Sequence, residues 1–264
     1  MQKARSVYFD LDGPILDVSE KYYRVHQAIL HDVGCPAGDK DEFWSLKRQR
    51  IAPTEILARS CPNLAAPAYS QAWLTRIETP EFLRFDAIVP GAVEVLQALG
   101  ARYHLRLVTL RRSPSHLRWE LETLGLSRFF REILAGHSDA VPGWHVKAEL
   151  IRGVELPPQQ GGAIIGDTEV DILAGKELGL TTIAVTNGIR TRELLEALQP
   201  DFIIPDVTGL PPLLDGTAPA EAAYQHHSSA LGRRWRIRDS CRFLSPRTMR
   251  KTTSCHSTIG CTAR

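Results

Sequence analysis

The sequence predicts an α/β protein: a Rossmann-like core on a mostly parallel sheet, with an all-helical segment inserted into it. Three observations carry that expectation. Short runs rich in β-branched and aliphatic residues alternate with helix-like segments, as strands joined by helical crossovers do. The helix-like segments carry recognisable caps and stops. Between Asp17 and about Phe85 the alternation lapses, and helical stretches follow one another with no convincing strand among them.

In chain order, the first strand is 6–9 (Ser-Val-Tyr-Phe), followed at once by Asp10-Leu-Asp12-Gly13. Asp17, with Glu20 three residues on, reads as the start of the first inserted helix. The insertion is punctuated at 34–38, at Ala52-Pro53 and at 61–67, and its roughly 65 residues suffice for a small satellite domain. Pro90-Gly91 then opens a helix that ends at Gly100, and 103–108 is the second core strand. Ser113-Pro114 pairs an N-cap with proline at the first helical position, and Gly125 stops that helix. Strands follow at 132–135, 163–165, 182–185 and 202–204, with a helix-like stretch around Lys147 between the first two. Thr168 followed three residues later by Asp171 resembles a capping box, closed by Gly179. The domain expectation is a core of residues 1–17 and 86–214, a helical domain of 18–85, and a tail of 215–264 without periodicity, read as disordered or loosely attached.

Composition narrows the classes. At 264 residues, 43% hydrophobic and 23% charged, this is an ordinary globular chain able to bury a sizeable core. No apolar run approaches the roughly 18 residues a membrane span needs. Net charge is +2, but 9 of the 32 Lys and Arg and only 3 of the 30 Asp and Glu fall from Asp215 onward. The tail therefore carries +6 and the rest −4, so no nucleic-acid partner is expected for the core. Tail arginines are read as solvated, and tail cysteines and His256 lack zinc spacing. Five cysteines at irregular spacing do not resemble a disulfide framework, and no leader is read ahead of the first strand. The expected location is a reducing cytoplasm.

Four chemical signals fall at the ends of separate strands. Asp10-x-Asp12 puts two carboxylates on one side of an extended chain, which is expensive unless a cation or phosphoryl group uses them. Thr109 follows an apolar strand. Lys147 stands alone in His145-Val-Lys-Ala-Glu-Leu-Ile. Gly166-Asp167-Thr168 ends in Asp171. In an open parallel sheet such ends gather where ligands bind. Carboxylates suit a hard dication, while a lysine and a hydroxyl suit phosphate oxygens. Alternatives stand beside these readings: Asp171 as a helix cap, Thr109 as an ordinary strand-end residue, Lys147 as a surface lysine, and Lys176 as its rival.

With these residues in this order, residues 5–214 resemble the haloacid dehalogenase-like superfamily, in its phosphatase branch with a helical cap after the first motif. The resemblance implies Mg²⁺ as cofactor and Asp10 as a nucleophile that forms an aspartyl-phosphate. It implies Asp12 as acid and then base, and Thr109 and Lys147 as phosphoryl-binding groups. Asp10, the backbone carbonyl of Asp12, and Asp167 would surround the metal, with Asp171 in support. An acid at position 12 favours phosphate esters over dehalogenase or phosphonate chemistry. Pro14, where relatives carry Thr or Val, and the missing proline after Lys147 depart from the pattern.

For the substrate, the basic cluster Leu46-Lys47-Arg48-Gln49-Arg50 makes Lys47 and Arg50 candidates for gripping an anionic group, with a solvated basic face as the alternative. Arg111 and Arg112 follow Thr109; one of them is expected to point inward, and Arg111 joins the substrate-binding set. Trp44, Trp73, Trp119 and Trp144 are assigned to packing. The leading expectation is a phosphatase for a small phosphorylated metabolite. A sugar-phosphate mutase of the same fold, and a catalytically silent scaffold acting through its tail, are the competing ones.

Overall fold

The computed structural model describes residues 5–155 and 162–216; the tail expectation falls on residues outside these, apart from Asp215 and Gly216. Along the chain, β1 (Ser6–Phe9) and a two-residue β2 (Leu16–Asp17) lead into five helices: α1 (Ser19–Asp32), α2 (Lys40–Arg48), α3 (Pro53–Ser60), α4 (Ala66–Arg76) and α5 (Pro80–Leu83). The chain returns through β3 (Ala87–Ile88), α6 (Ala92–Gly100), β4 (His104–Thr109), α7 (Pro114–Thr123) and β5 (Glu132–Ala135). It continues through α8 (Gly143–Val154), β6 (Ala163–Gly166), α9 (Glu169–Leu178), β7 (Thr181–Val185), α10 (Arg192–Glu196), β8 (Phe202–Ile204) and α11 (Leu210–Leu214).

Six strands form one parallel sheet in the order β5-β4-β1-β6-β7-β8. Phe9 pairs with Leu107 on one side and Ile165 on the other, so β1 is central. Connections run outward in opposite directions from β1, which makes its carboxyl end the point where loops diverge and leave a crevice. Both faces of the sheet are covered, which is why its strands read as continuous apolar runs. Val7, Phe9, Leu105, Leu107 and Ile165 pack with α6 and α7 on one face. The alternate residues Tyr8, Val108 and Ile164 pack with Ala148 and Ile151 of α8 and Ala174 of α9 on the other.

The helix ends follow the expected chemistry. Ser113 caps α7, and Gly125 and Gly179 stop α7 and α9 with φ of +66° each. The first inserted helix begins slightly later than expected: Val18 is its N-cap, while Asp17 accepts a hydrogen bond from the Ser19 amide.

The insertion has its own apolar cluster. Val25, Ile29 and Leu30 of α1 pack with Leu57 of α3, Tyr69 of α4 and Phe82 of α5. Tyr22 stands edge-on to both Trp44 and Trp73, with ring centroids 5.7 and 5.2 Å away. Strands β2 and β3 pair antiparallel where the chain enters and leaves the insertion, a joint too short for sequence periodicity to reveal.

Two expectations are corrected. Cys35 and Cys61 form a disulfide with Cα atoms 5.6 Å apart, joining the segment after α1 to the end of α3. Helix packing brings these two cysteines together, which spacing along the chain does not show. The inference of reduced cysteines, and the support it lent to a cytoplasmic location, fails accordingly. Trp119 is 40% exposed and is not a packing residue of the core. Among the described residues, no helix is long and apolar enough to cross a membrane.

Candidate active site

The carboxyl end of β1 organises the site. The Asp10 amide donates to the Ile165 carbonyl, extending the β1–β6 ladder by one residue and holding Asp10 at the sheet's rim. The chain then turns through Gly13, whose φ of +96° suits glycine. A Cβ at Gly13, or at Gly188, would overlap the Asp167 carboxyl group, so both positions are shaped around that acid. Pro14 lies in this turn, and the Ile15 and Leu16 amides that follow it donate to the Leu11 carbonyl.

Thr109 ends β4 and Asp167 follows β6, the two neighbours of β1, and both are buried. Lys147 enters from α8 fully buried, its Nζ 2.9 Å from Asp10 Oδ1 and 2.5 Å from Asp171 Oδ1. The surface reading of Lys147 is thereby corrected. Its rival Lys176 donates instead to the Leu198 carbonyl at 2.6 Å, away from the site. Asp171 is a helix cap, as one sequence reading had it, its Oδ2 accepting from the Thr168 amide and hydroxyl in a capping box; its Oδ1 also takes Lys147, a pairing not foreseen from sequence.

Oxygen atoms of Asp10, Asp167 and Asp171 lie within 4.8 Å of one another. Burial raises Asp10 to about 7, with the Asp171 and Asp12 charges adding and Lys147 opposing. Burial also holds Asp167 well above the ordinary carboxylate range, reinforced by Asp10. One Asp167 oxygen accepts the Ile189 amide; the other is buried with no hydrogen-bond partner among the described residues. Three crowded acids, one ammonium and an orphaned buried oxygen make a donor set short of positive charge, which a hard dication fits.

The Asp12 side chain takes its partners from outside that cluster. Its carboxylate takes a two-pronged contact from Arg111, Nε to Oδ2 at 3.1 Å and Nη2 to Oδ1 at 2.7 Å. Burial alone would raise Asp12, but Arg111 and Lys21 outweigh it and hold the group below its usual value. Arg111 also reaches Asp86 at 3.1 Å and Glu120 at 3.4 Å, and Lys21 bonds Asp86 at 2.5 Å. Burial pushes Glu120 up to about 9. Arg111 therefore points inward, as one of the pair was expected to, yet onto protein carboxylates. Arg112 points outward to Asp139.

The cationic segment of the insertion meets the core loop after β7. Arg48 donates to the Thr186 and Arg190 carbonyls at 2.5 and 3.2 Å, and the Thr191 amide donates to the Arg48 carbonyl. Lys47 Nζ stands 4.8 Å from the centroid of Trp73 and 5.6 Å from that of Tyr22, with no carboxylate partner among the described residues. Burial and the nearby Arg190 charge lower it to about 8. Arg50, its side chain 50% exposed and its φ at +61°, pairs loosely with Glu169.

Sequence reasoning missed Lys21, Asp86, Glu120 and Arg48. Two left a signal. Lys21 is in helical phase with Val25 and Ile29, and Glu120 with Leu117 and Leu121, so each is a charge on an apolar face. Asp86 and Arg48 left none, since nothing local marks a loop acid or one arginine of a basic run as buried.

A family model described as HAD-hydrolase-like matches residues 129–210. A phosphoglycolate phosphatase of Vibrio parahaemolyticus is 26% identical, covering 79% of this chain and 95% of its own. One from Cupriavidus necator is also 26% identical, over 83% and 96%. A haloacid dehalogenase-like family hydrolase from Streptococcus pneumoniae shares the fold with a TM-score of 0.63 at 23% identity, over 79% of this chain and 97% of that one.

Proposed function

We propose that this chain, which belongs to the haloacid dehalogenase-like superfamily and to its phosphatases, hydrolyses a small phosphate monoester in two displacements at Asp10. An Asp10 oxygen attacks phosphorus as the bond to the leaving oxygen breaks, and Asp12, which Arg111 and Lys21 favour as the carboxylate, takes up a solvent proton as the ester binds and passes it to that oxygen. Water then attacks the aspartyl-phosphate, Asp12 takes a proton from it, and the Asp10–phosphorus bond breaks. Ester and water become alcohol and inorganic phosphate, with both aspartates restored. The Thr109 hydroxyl and Lys147 ammonium hold phosphoryl oxygens, and the Lys147 charge also favours the ionised form of Asp10. Asp10, the Asp12 carbonyl and Asp167, backed by Asp171, are the groups that would hold Mg²⁺. When bound, Mg²⁺ offsets the repulsion between an anionic nucleophile and an anionic ester.

One observation supports this reading above the rest: the Lys147 ammonium bridges Asp10 and Asp171 beside Asp167, four groups drawn from the ends of β1 and β6 and from helices α8 and α9. Residues 18–85 act as a cap over a core of 1–17 and 86–214, and the tail lies outside this assignment. The Lys47 ammonium, without a carboxylate partner among the described residues, and the half-exposed Arg50 favour a substrate whose leaving group is itself anionic. Phosphoglycolate, named in the relatives, is the first candidate, and sugar phosphates follow. A cytoplasmic location is compatible with this chemistry.

The test is hydrolysis of a phosphate-ester panel by the full chain with Mg²⁺, and by Asp10→Asn. Loss of the nucleophile is expected to lower turnover by at least about 10³-fold. Undiminished hydrolysis by Asp10→Asn would refute the covalent route, and activity indifferent to chelator would refute the metal.

A further inference from the structure

Asp12 must move a proton in both displacements, so its carboxylate has to face the leaving oxygen and then the water from one position. Residues outside the reacting cluster hold it. Arg111, 5% exposed in its side chain, meets both Asp12 oxygens with one edge of its guanidinium, the planar fork that matches a carboxylate. That guanidinium is held in turn by a hydrogen bond to Asp86, with a Glu120 oxygen 3.4 Å away. Asp86 also binds Lys21, which stands 3.9 Å from Asp12. Lys21 lies on α1, where the chain enters the insertion, and Asp86 lies next to β3, where it leaves. Glu120 sits on α7 of the core. Thr109 and Arg111 share one turn, the Arg111 amide donating to the Thr109 hydroxyl.

We propose that Arg111 is a positioning residue for Asp12, and that through Asp86 and Lys21 it ties the orientation of that carboxylate to both crossings between core and insertion. The proposal rests on the reading of Asp12 as acid and base. A substrate-binding arginine would keep its guanidinium edge free for an incoming anion. Here that edge is spent on protein carboxylates, beneath the surface. Losing the fork frees the Asp12 carboxylate to rotate, while Asp10, Lys147 and Asp167 stay in place.

The experiment compares wild type, Arg111→Ala and Arg111→Lys in steady-state and rapid-quench assays with Mg²⁺, together with a crystal structure of Arg111→Lys. Lysine keeps the buried positive charge, so it remains informative if the alanine variant does not fold. On an alkyl phosphate, kcat is expected to fall about 10²-fold with KM little changed, the pattern for a contact that matters only in the transition state. On p-nitrophenyl phosphate, whose leaving group needs little protonation, the variants are expected to release one equivalent of nitrophenolate rapidly and then stall with phosphoenzyme accumulated. In the crystal, the Asp12 carboxylate is expected to leave its wild-type place. A raised KM with unchanged kcat would make Arg111 a substrate-binding residue and overturn the proposal. So would equal losses on both esters without a burst, or an unmoved Asp12. If wild type hydrolyses no ester, the phosphatase reading fails, and the position of Asp12 in the variant crystal still decides what Arg111 does.

Discussion

The sheet core and the helical insertion place their charged groups by different means. In the core, Asp10, Thr109 and Asp167 each sit at or just past the end of a strand whose neighbours are hydrogen-bonded on both sides. Backbone ladders set their positions, and the buried cation among them, Lys147, has two carboxylates for partners. In the insertion, among the described residues, Lys47 rests on Trp73 and Tyr22 without a carboxylate, and Arg48 donates to two carbonyls while its Nε is buried with no hydrogen-bond partner. Side-chain packing holds these groups, and their charge is left unbalanced. A centre fixed by backbone ladders suits chemistry that is the same for every ester. An adaptable, positively biased wall suits recognition of whatever the ester carries.

The contrast can be broken most directly at the two lysines. Lys147→Met strips the cation from Asp10 and Asp171, and turnover with Mg²⁺ is expected to fall about 10²–10³-fold. Breaking a buried pair is also expected to cost about 3–5 kcal/mol of stability in denaturant melts without metal. Stability equal to wild type would show that the core pairing is not what holds these acids in place.

A second measurement uses acid. His26 of α1 is buried, stacked on Phe43 at 4.3 Å and bonded to the Tyr69 hydroxyl, and burial lowers it to about 4. The unfolded chain, with histidine near 6.5, takes up the proton first as pH falls. The neutral ring therefore contributes stability that is complete above about 6.5 and is lost on the way down to about 4, on the order of 2–3 kcal/mol. Hydrogen-exchange protection is expected to drop across α1 before it drops across β1. Simultaneous loss in both would mean that the two regions unfold as one.

The smallest effect is at Lys47. Removing an unpaired half-buried cation leaves no carboxylate stranded, so Lys47→Met is expected to keep or slightly raise stability. Loss of one charge-assisted hydrogen bond to substrate is expected to raise KM for a carboxylated ester about tenfold. Destabilisation as large as that of Lys147→Met would erase the distinction between the regions.

Much of the core was legible because its rules are local. Strands buried on both faces read as apolar runs, helices carry caps, and Asp10, Thr109, Lys147 and Asp167 stand at the junctions that a parallel sheet brings together. The insertion was legible only as helix. The Cys35–Cys61 bond, the packing of Tyr22, Trp44 and Trp73, and the Arg48 contacts with the 186–190 loop depend on how helices pack, which periodicity does not encode. Arg111 shows the same limit within the core. Its inward direction was open to a reading from its place after β4, but its partner was not, because Asp12, Asp86 and Glu120 come from three other elements.

The amino-acid sequence by itself determined the strand–helix alternation, the break for the insertion and which side chains stand at the strand ends, since strand periodicity and capping act over a few residues. Tertiary structure alone decided which charges share a pocket. Ion pairing and burial depend on distances between segments far apart in the chain, and only the packed sheet and helices set those distances.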